Sequence, residues 1–194
     1  MTSKRIIKVG LDFDGVVTYN PFRVARLTVA FIKHQILGIK KIGFFVPKNP
    51  WQKLLYYWII VIPSAFPANG VMFLKKLAQS SDKFEFYLIT GRFDFVKDDT
   101  IAWLRHQGLI NMFKKIYINE KNEQPHEFKK RIINLENFDY FIEDNWDIVN
   151  FLNTKKTPVK VYWVYNVFDA FRKYQYKFPH LNKALEYIRD ETVG

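Results

Sequence analysis

The sequence contains no cysteine, and this absence excludes several kinds of chemistry at once. Disulfide bonds, thiolate metal sites and cysteine nucleophiles are all ruled out. The four histidines are scattered along the chain at spacings that match no metal-binding motif. A chain without disulfides suits a reducing compartment. Any catalytic or metal centre must therefore be built from other side chains.

Acidic residues are scarce beside basic ones, with 19 Asp and Glu against 30 Lys and Arg and a net charge of +11. Such a surface attracts anions, whether phosphorylated metabolites, nucleic acid or acidic lipid, without selecting among them. A basic, aromatic run at residues 168–178 keeps nucleic-acid contact open through stacking and charge, although packing on the core is the favoured interpretation.

Long apolar runs are also lacking. The run before Asp12 is too short for a signal-peptide core, which predicts a cytoplasmic protein. The run at residues 54–62 is too short to span a bilayer, since spanning takes about 20 residues. We expect it to be a buried helix, and an interfacial membrane helix is the alternative.

Short apolar runs alternate with helical patterns along the chain, which predicts parallel strand pairing and an α/β, doubly wound, Rossmann-like sheet. The predicted strands are residues 5–11, 83–90, 115–119, 139–142 and 159–165. The predicted helices are residues 70–78, 95–107, 125–133, 147–152 and 179–189.

One stretch breaks this alternation. Residues 18–67 look helical and carry many aromatic and lysine side chains. A chain of 194 residues suits one domain with an insertion. The predicted organisation is therefore a core of residues 1–17 and 68–194, with residues 18–67 as an inserted helical cap over the carboxyl ends of the strands.

Polar residues follow three of the predicted strands, at the edge where ligands bind in parallel sheets. They are Asp12 and Asp14, then Thr90, Gly91 and Arg92, then Glu143 and Asp144. Two carboxylates two residues apart suit a hard cation and also nucleophile and proton-transfer roles. A hairpin turn at Asp14-Gly15 is the structural alternative.

The order of these motifs resembles the haloacid-dehalogenase-like (HAD) hydrolase superfamily over about residues 6–165. Residues 12–16 read Asp-Phe-Asp-Gly-Val, which matches the first motif of that family. Thr90 matches the second motif, and the pair Glu143 and Asp144 matches the fourth. The third motif is a lysine near a helix start, for which Lys121 fits best and Lys129 is the alternative.

This resemblance implies a phosphatase that requires Mg²⁺. Asp12 would be the nucleophile that forms an aspartyl-phosphate, and Asp14 the general acid and base. Asp12, Asp144 and the backbone carbonyl of Asp14 would hold the metal, and either Asn145 or Asp147 would complete its shell. The phosphoryl group would be bound by Thr90, Gly91, Arg92 and Lys121.

The early insertion and the wording Ile-Glu-Asp-Asn at residues 142–145 resemble the small 5′-nucleotidase-type branch. The expected partner is a small phosphorylated metabolite, with a nucleoside monophosphate favoured over a sugar phosphate because the insertion is aromatic and basic. Sugar-phosphate and nucleic-acid-end phosphatases, and a non-catalytic binding protein, are the alternatives. The oligomeric state is left open.

Overall fold

A computed structural model describes residues 5–21, 43–80, 82–155, 157–166 and 169–193. Within these ranges the strands are β1 Ile7–Leu11, β2 Thr18–Tyr19, β3 Phe66–Pro67, β4 Phe84–Phe93, β5 Phe113–Asn119, β6 Tyr140–Glu143, β7 Lys160–Val164 and β8 Lys177–Phe178. Six of them form one parallel sheet in the order β5-β4-β1-β6-β7-β8. Strand β1 therefore lies inside the sheet, between β4 and β6.

The α-helices of the same ranges are α1 Pro50–Tyr56, α2 Val71–Ser80, α3 Lys97–His106, α4 Pro125–Glu136, α5 Trp146–Thr154 and α6 Leu181–Val193. Local signals set several of their ends. Pro125 stands in the first turn of α4, where its missing N–H costs nothing, and Asn137 ends that helix in the left-handed conformation, at φ 53°. Asn145 caps α5 by accepting the N–H of Asp147.

The sheet is covered on both faces by buried apolar side chains. Residues of β4 alternate between two clusters, because successive side chains of a strand point to opposite faces. Leu88 packs with Leu104 and Leu185 on one face, and Ile89 packs with Ile132 on the other. The prediction of a doubly wound, Rossmann-like α/β fold is confirmed.

Among the differences from the sequence-based element boundaries, two concern the large sheet at β4 and β8. Strand β4 continues through Phe93, past the predicted end at Thr90, with a register shift between these two residues. Strand β8 was not predicted, and it pairs with β7 inside the basic aromatic run. In that run Tyr174 donates from its hydroxyl to the carbonyl of Val161 at 2.8 Å, while Phe168 lies outside the described residues.

Residues 18–67, predicted to form an inserted cap, begin and end in the antiparallel pair β2 and β3. Residues 22–42 lie outside the described ranges. Helix α1 begins at a capping box formed by Asn49 and Gln52, and the helical path continues as a π-helical turn over Tyr57–Val61 and a 3-10 turn over Ile62–Ala65.

The prediction that residues 54–62 are buried is wrong. No residue of α1 or of the π-helical turn is buried, and Trp58 is 61% exposed. The reason is that only one side of the helical path contacts the large sheet and its helices, through Tyr56 against Phe93 and Tyr57 against Asp99. The other side faces outward. Within the described residues, none of the helices has the length and apolar character needed to cross a bilayer.

Candidate active site

Asp12 and Asp14 lie in a tight turn at the carboxyl end of β1. The N–H of Asp12 donates to the carbonyl of Ile142 at 2.9 Å, which extends the pairing with β6 by one residue. Gly15 then adopts a positive φ of 86°, a conformation that glycine reaches without strain. The chain turns within a few residues and then runs into β2. Both carboxyl groups are left almost fully buried at the edge of the sheet.

Asp12 forms an ion pair with Lys129 of α4, whose Nζ lies 2.8 Å from Asp12 Oδ1. The same ammonium donates to Glu143 Oε2 at 2.7 Å. The other carboxylate oxygen of Glu143 accepts the N–H groups of Asp144 and Asn145, at 3.2 and 3.0 Å. Glu143 thus fixes Lys129 against Asp12 and shapes the loop after β6.

Burial dominates the electrostatics of this group. Burial raises the pKa of Asp12. The positive charge of Lys129 lowers this pKa in part, and the negative charge of Asp144 raises it further. Burial and the charge of Asp12 raise the pKa of Glu143 well above its usual value. Burial opposes the charge on Lys129, but Asp12 and Glu143 outweigh it and raise the pKa of the lysine.

Asp12, Glu143 and Asp144 could hold a cation. They offer carboxylate oxygens that all lie within 4.8 Å of one another, and all three residues are buried. An all-oxygen donor set suits Mg²⁺. Lys129 contacts the carboxylates of Asp12 and Glu143, so ionisation of all three acids would bring more negative charge than this ammonium carries. A divalent cation would balance that excess, and the residues therefore fit the metal.

Asp14 faces a different set of groups. Arg92 donates from Nε to Oδ2 at 2.9 Å and from Nη2 to Oδ1 at 2.8 Å, and Ser64 Oγ lies 2.9 Å from Oδ1. Ser64 lies in the 3-10 turn before β3, so this carboxylate contacts both a residue of the large sheet and a residue of the segment between β2 and β3. Arg92 also donates from Nη1 to Thr100 Oγ1 at 3.3 Å. Arg92 was predicted to bind phosphate, and in the structure its guanidinium contacts Asp14 and Thr100.

Thr90 and Gly91 lie in β4, next to β1. Thr90 is fully buried, and its hydroxyl accepts the N–H of Arg92 at 3.1 Å. Gly91 allows a close approach, since a Cβ at this position would lie 2.9 Å from Cβ of Pro125. Pro125 begins the helix that carries Lys129, so the missing side chain of Gly91 helps to bring that lysine to Asp12.

The two lysine candidates are placed differently. Lys121 lies in the turn after β5 with its side chain exposed, whereas Lys129 is buried against Asp12. The two candidates for the remaining metal ligand lie at the start of α5. Asn145 Oδ1 accepts the N–H of Asp147 as a helix cap, and neither residue is among the clustered carboxylates.

Two contacts were missed by sequence reasoning. Ser64 is a single serine in an apolar stretch and carries no recognisable signal. Lys129 was left as an alternative although a signal existed. Lys129 stands between Phe128 and the pair Ile132 and Ile133, which recur at helical spacing and are buried with it. A lysine on such an apolar stripe indicates a buried, partnered charge.

Known structures share this fold. The chain is similar to a HAD-type hydrolase, YfnB from Bacillus subtilis, determined with bound magnesium, with a TM-score of 0.60 at 14% identity over 96% of this chain and 100% of that one. A HAD-like hydrolase from Streptococcus pneumoniae gives a TM-score of 0.57 at 12% identity over 94% and 98%.

CbbY from Rhodobacter sphaeroides, determined in complex with phosphate, gives a TM-score of 0.55 at 9% identity over 92% of this chain and 96% of that one. No family model and no curated protein sequence matches the chain. At these identities the likeness establishes the fold, and the chemistry has to be argued from the residues themselves.

Proposed function

We propose that the chain is a Mg²⁺-dependent phosphohydrolase that cleaves a small phosphate monoester through an aspartyl-phosphate on Asp12. The observation that carries this proposal is the placement of Asp12. Its carboxylate lies at the carboxyl end of an interior parallel strand, against Lys129 and beside the carboxylate of Asp144. This is the edge at which ligands bind in α/β sheets.

Asp12, Asp144 and the backbone carbonyl of Asp14 would hold the metal, with Glu143 nearby. Bound Mg²⁺ would reduce the repulsion between the carboxylate nucleophile and an anionic substrate. The magnesium in YfnB and the phosphate in CbbY support a metal and a phosphoryl ligand on this fold. A further CbbY structure holds xylulose-1,5-bisphosphate, which is also a phosphate ester.

Each side chain of the site has its own role in the proposed reaction. A carboxylate oxygen of Asp12 attacks phosphorus, and the bond from phosphorus to the leaving oxygen breaks. Asp14 gives a proton to that oxygen and later takes one from the water that hydrolyses the aspartyl-phosphate. Lys129, the Thr90 hydroxyl and the Gly91 amide stabilise charge on the phosphoryl group. We assign Arg92 to positioning Asp14.

We further propose a nucleoside monophosphate as the substrate and residues 18–67 as the cap that selects it. The phosphoryl-binding residues cannot distinguish one leaving group from another, so selection falls to the side chains above them. Tyr56 of the insertion packs against Phe93 and Phe95, with ring centroids 5.4 Å apart in both pairs. Aromatic side chains at this edge can stack on a base, which contributes about 1 to 3 kcal/mol.

The test is a panel of nucleoside monophosphates, hexose phosphates and pentose phosphates, assayed with Mg²⁺ and with EDTA. Asp12→Asn should lose turnover because the amide cannot form the acyl phosphate, and the exposed Asp82→Asn is the matched control. An Asp12→Asn protein that keeps more than about a hundredth of the activity contradicts the nucleophile. A tenfold preference in kcat/KM for sugar phosphates would contradict the proposal of a nucleoside monophosphate substrate but would still agree with the proposed phosphatase activity.

A further inference from the structure

The helical path of the insertion carries an exposed apolar stripe. Its members are large apolar side chains, each between 44% and 79% exposed, at positions Trp51, Leu54, Leu55, Trp58, Ile59 and Ile62. These positions recur at intervals of three and four residues and so share one face of a helix. Core-facing helices normally bury such a face.

The inward side of the same path is already occupied. Tyr57 donates to Asp99 at 3.0 Å, Ser64 lies beside Asp14, and Trp103 donates from Nε1 to the carbonyl of Ala65 at 2.8 Å. These contacts anchor the path to the sheet domain. These polar contacts on the opposite side of the helical path therefore set the orientation of the stripe, and Trp51 and Trp58 face outward.

Charge indicates what covers the stripe. Residues 18–67 contain no Asp or Glu. Their basic residues are Arg23, Arg26, Lys33, Lys40, Lys41, Lys48 and Lys53, of which the first five lie outside the described residues. Lys48 and Lys53 are exposed, and the Lys53 ammonium lies 5.2 Å from the ring centroid of Phe95. An apolar face with tryptophans inside an entirely basic segment has the chemistry of an interfacial helix on an anionic bilayer.

We propose that this stripe docks the protein on the surface of an anionic lipid bilayer, with the helical path lying in the plane of the interface. A second copy of the chain suits the stripe less well, because two uniformly basic insertions would repel each other. Leu54, Leu55, Ile59 and Ile62 enter the acyl region on this proposal, and the lysines contact lipid headgroups. Ile62 is two residues from Ser64, so docking brings the bilayer close to the residues around Asp14.

The test measures co-sedimentation with vesicles of phosphatidylcholine alone and of phosphatidylcholine with about one part in four of phosphatidylglycerol. The wild type should bind the anionic vesicles, and more weakly as salt rises. Leu55→Glu/Trp58→Glu should bind at least about tenfold more weakly, since burial of one large apolar side chain is worth a factor of ten or more.

The matched control is Met72→Glu/Leu135→Glu, which adds the same two charges at side chains that are 76% and 64% exposed outside the insertion. This variant should bind like the wild type. Quenching of tryptophan fluorescence by brominated lipid should fall in Trp51→Phe/Trp58→Phe, which reports insertion of these two rings. Circular dichroism checks the fold of every variant, and no step of the assay depends on phosphatase turnover.

Three results would overturn the proposal. The first is that the wild type fails to bind anionic vesicles. The second is that the two glutamate pairs weaken binding equally, which would show that added negative charge alone causes the loss of binding. The third is a wild-type dimer in light scattering that Leu55→Glu/Trp58→Glu converts to a monomer, which would assign the stripe to a second copy of the chain.

Discussion

The guanidinium of Arg92 holds both carboxylate oxygens of Asp14. The two hydrogen bonds measure 2.9 and 2.8 Å, and the side chains are 3% and 12% exposed. The guanidinium also lies over the ring of Phe13, 4.5 Å from its centroid. Burial opposes the charge on Arg92, but the charge and hydrogen bonds of Asp14 outweigh it, and the pKa of Arg92 is raised. These two buried hydrogen bonds fix the orientation of the Asp14 carboxyl group, the proposed general acid and base.

The first prediction concerns this pair. Arg92→Met should lower the free energy of unfolding by about 3 kcal/mol, because it leaves the carboxylate of Asp14 buried without its cation. The double variant Arg92→Met/Asp14→Asn should recover at least about 1 kcal/mol of that loss, since the amide needs no counter-charge. Urea unfolding of the wild type, of the single variants Arg92→Met and Asp14→Asn, and of the double variant measures the coupling. Equal stability of the single Arg92 variant and the double variant would contradict it.

The sequence predicts the positions of Asp12 and Asp14 well because an apolar strand followed by a carboxylate is a local pattern. The contact between Arg92 and Asp14 is not local. It depends on the continuation of β4 past Thr90, which brings Arg92 back across the end of β1. The exposed face at residues 54–62 was also beyond sequence reasoning. That run is apolar or aromatic all round, so its pattern cannot say which side meets the core.

The second prediction separates the two candidate lysines. Lys129→Met should lower kcat/KM by about a factor of 10² or more, because it removes a buried cation next to the phosphoryl site. Lys121→Met makes the same change at an exposed turn and should stay within about twofold of the wild type. Activity is compared after the fold of both variants is checked by circular dichroism. A larger loss in Lys121→Met would return the phosphoryl-binding role to Lys121.

The third prediction concerns pH and stability, away from the candidate site. Glu191 of α6 accepts hydrogen bonds from the hydroxyls of Tyr140 and Tyr162, both at 3.0 Å, and pairs with Lys160. The hydrogen bond from Lys160 is the main cause that lowers the pKa of Glu191. A lowered folded-state pKa stabilises the fold above about pH 4.3, the ordinary value for glutamate, and this contribution is lost as the pH falls through the folded pKa.

Glu191→Gln should therefore cost about 1 kcal/mol at pH 7, a modest value because the carboxylate is partly exposed. The difference from the wild type should shrink below about pH 4. Glu127→Gln is the control, since Glu127 is exposed and pairs with Lys130 of its own helix. Urea unfolding as a function of pH gives both values. A difference that is constant with pH would show that ionisation of Glu191 does not stabilise the fold.

The last prediction concerns Ser64, whose hydroxyl can serve both protonation states of Asp14. Its single proton has two acceptors in reach, Asp14 Oδ1 at 2.9 Å and the carbonyl of Ile60 at 2.7 Å. When Asp14 is ionised, Ser64 donates to it. When Asp14 is protonated, the direction reverses, and Ser64 accepts from Asp14 while donating to Ile60. A hydroxyl has one donor and two acceptor positions, so the amide of Asn20, at 3.1 Å, fits either state.

Ser64→Ala should therefore slow proton transfer while leaving attack by Asp12 intact. We expect kcat/KM, which reports formation of the aspartyl-phosphate, to fall about tenfold on alkyl phosphates, whose leaving oxygen needs a proton, and to change little on p-nitrophenyl phosphate, whose leaving group does not. Ser64→Thr keeps the hydroxyl and should restore activity, and the exposed Ser80→Ala controls for loss of a serine elsewhere. Misplacement of the insertion alone would slow both substrates equally, because attack by Asp12 is common to both, whereas a fault in proton transfer through Asp14 would slow only the alkyl phosphates. The ratio of the two kcat/KM values, measured across all four proteins, distinguishes these roles without reference to absolute activity.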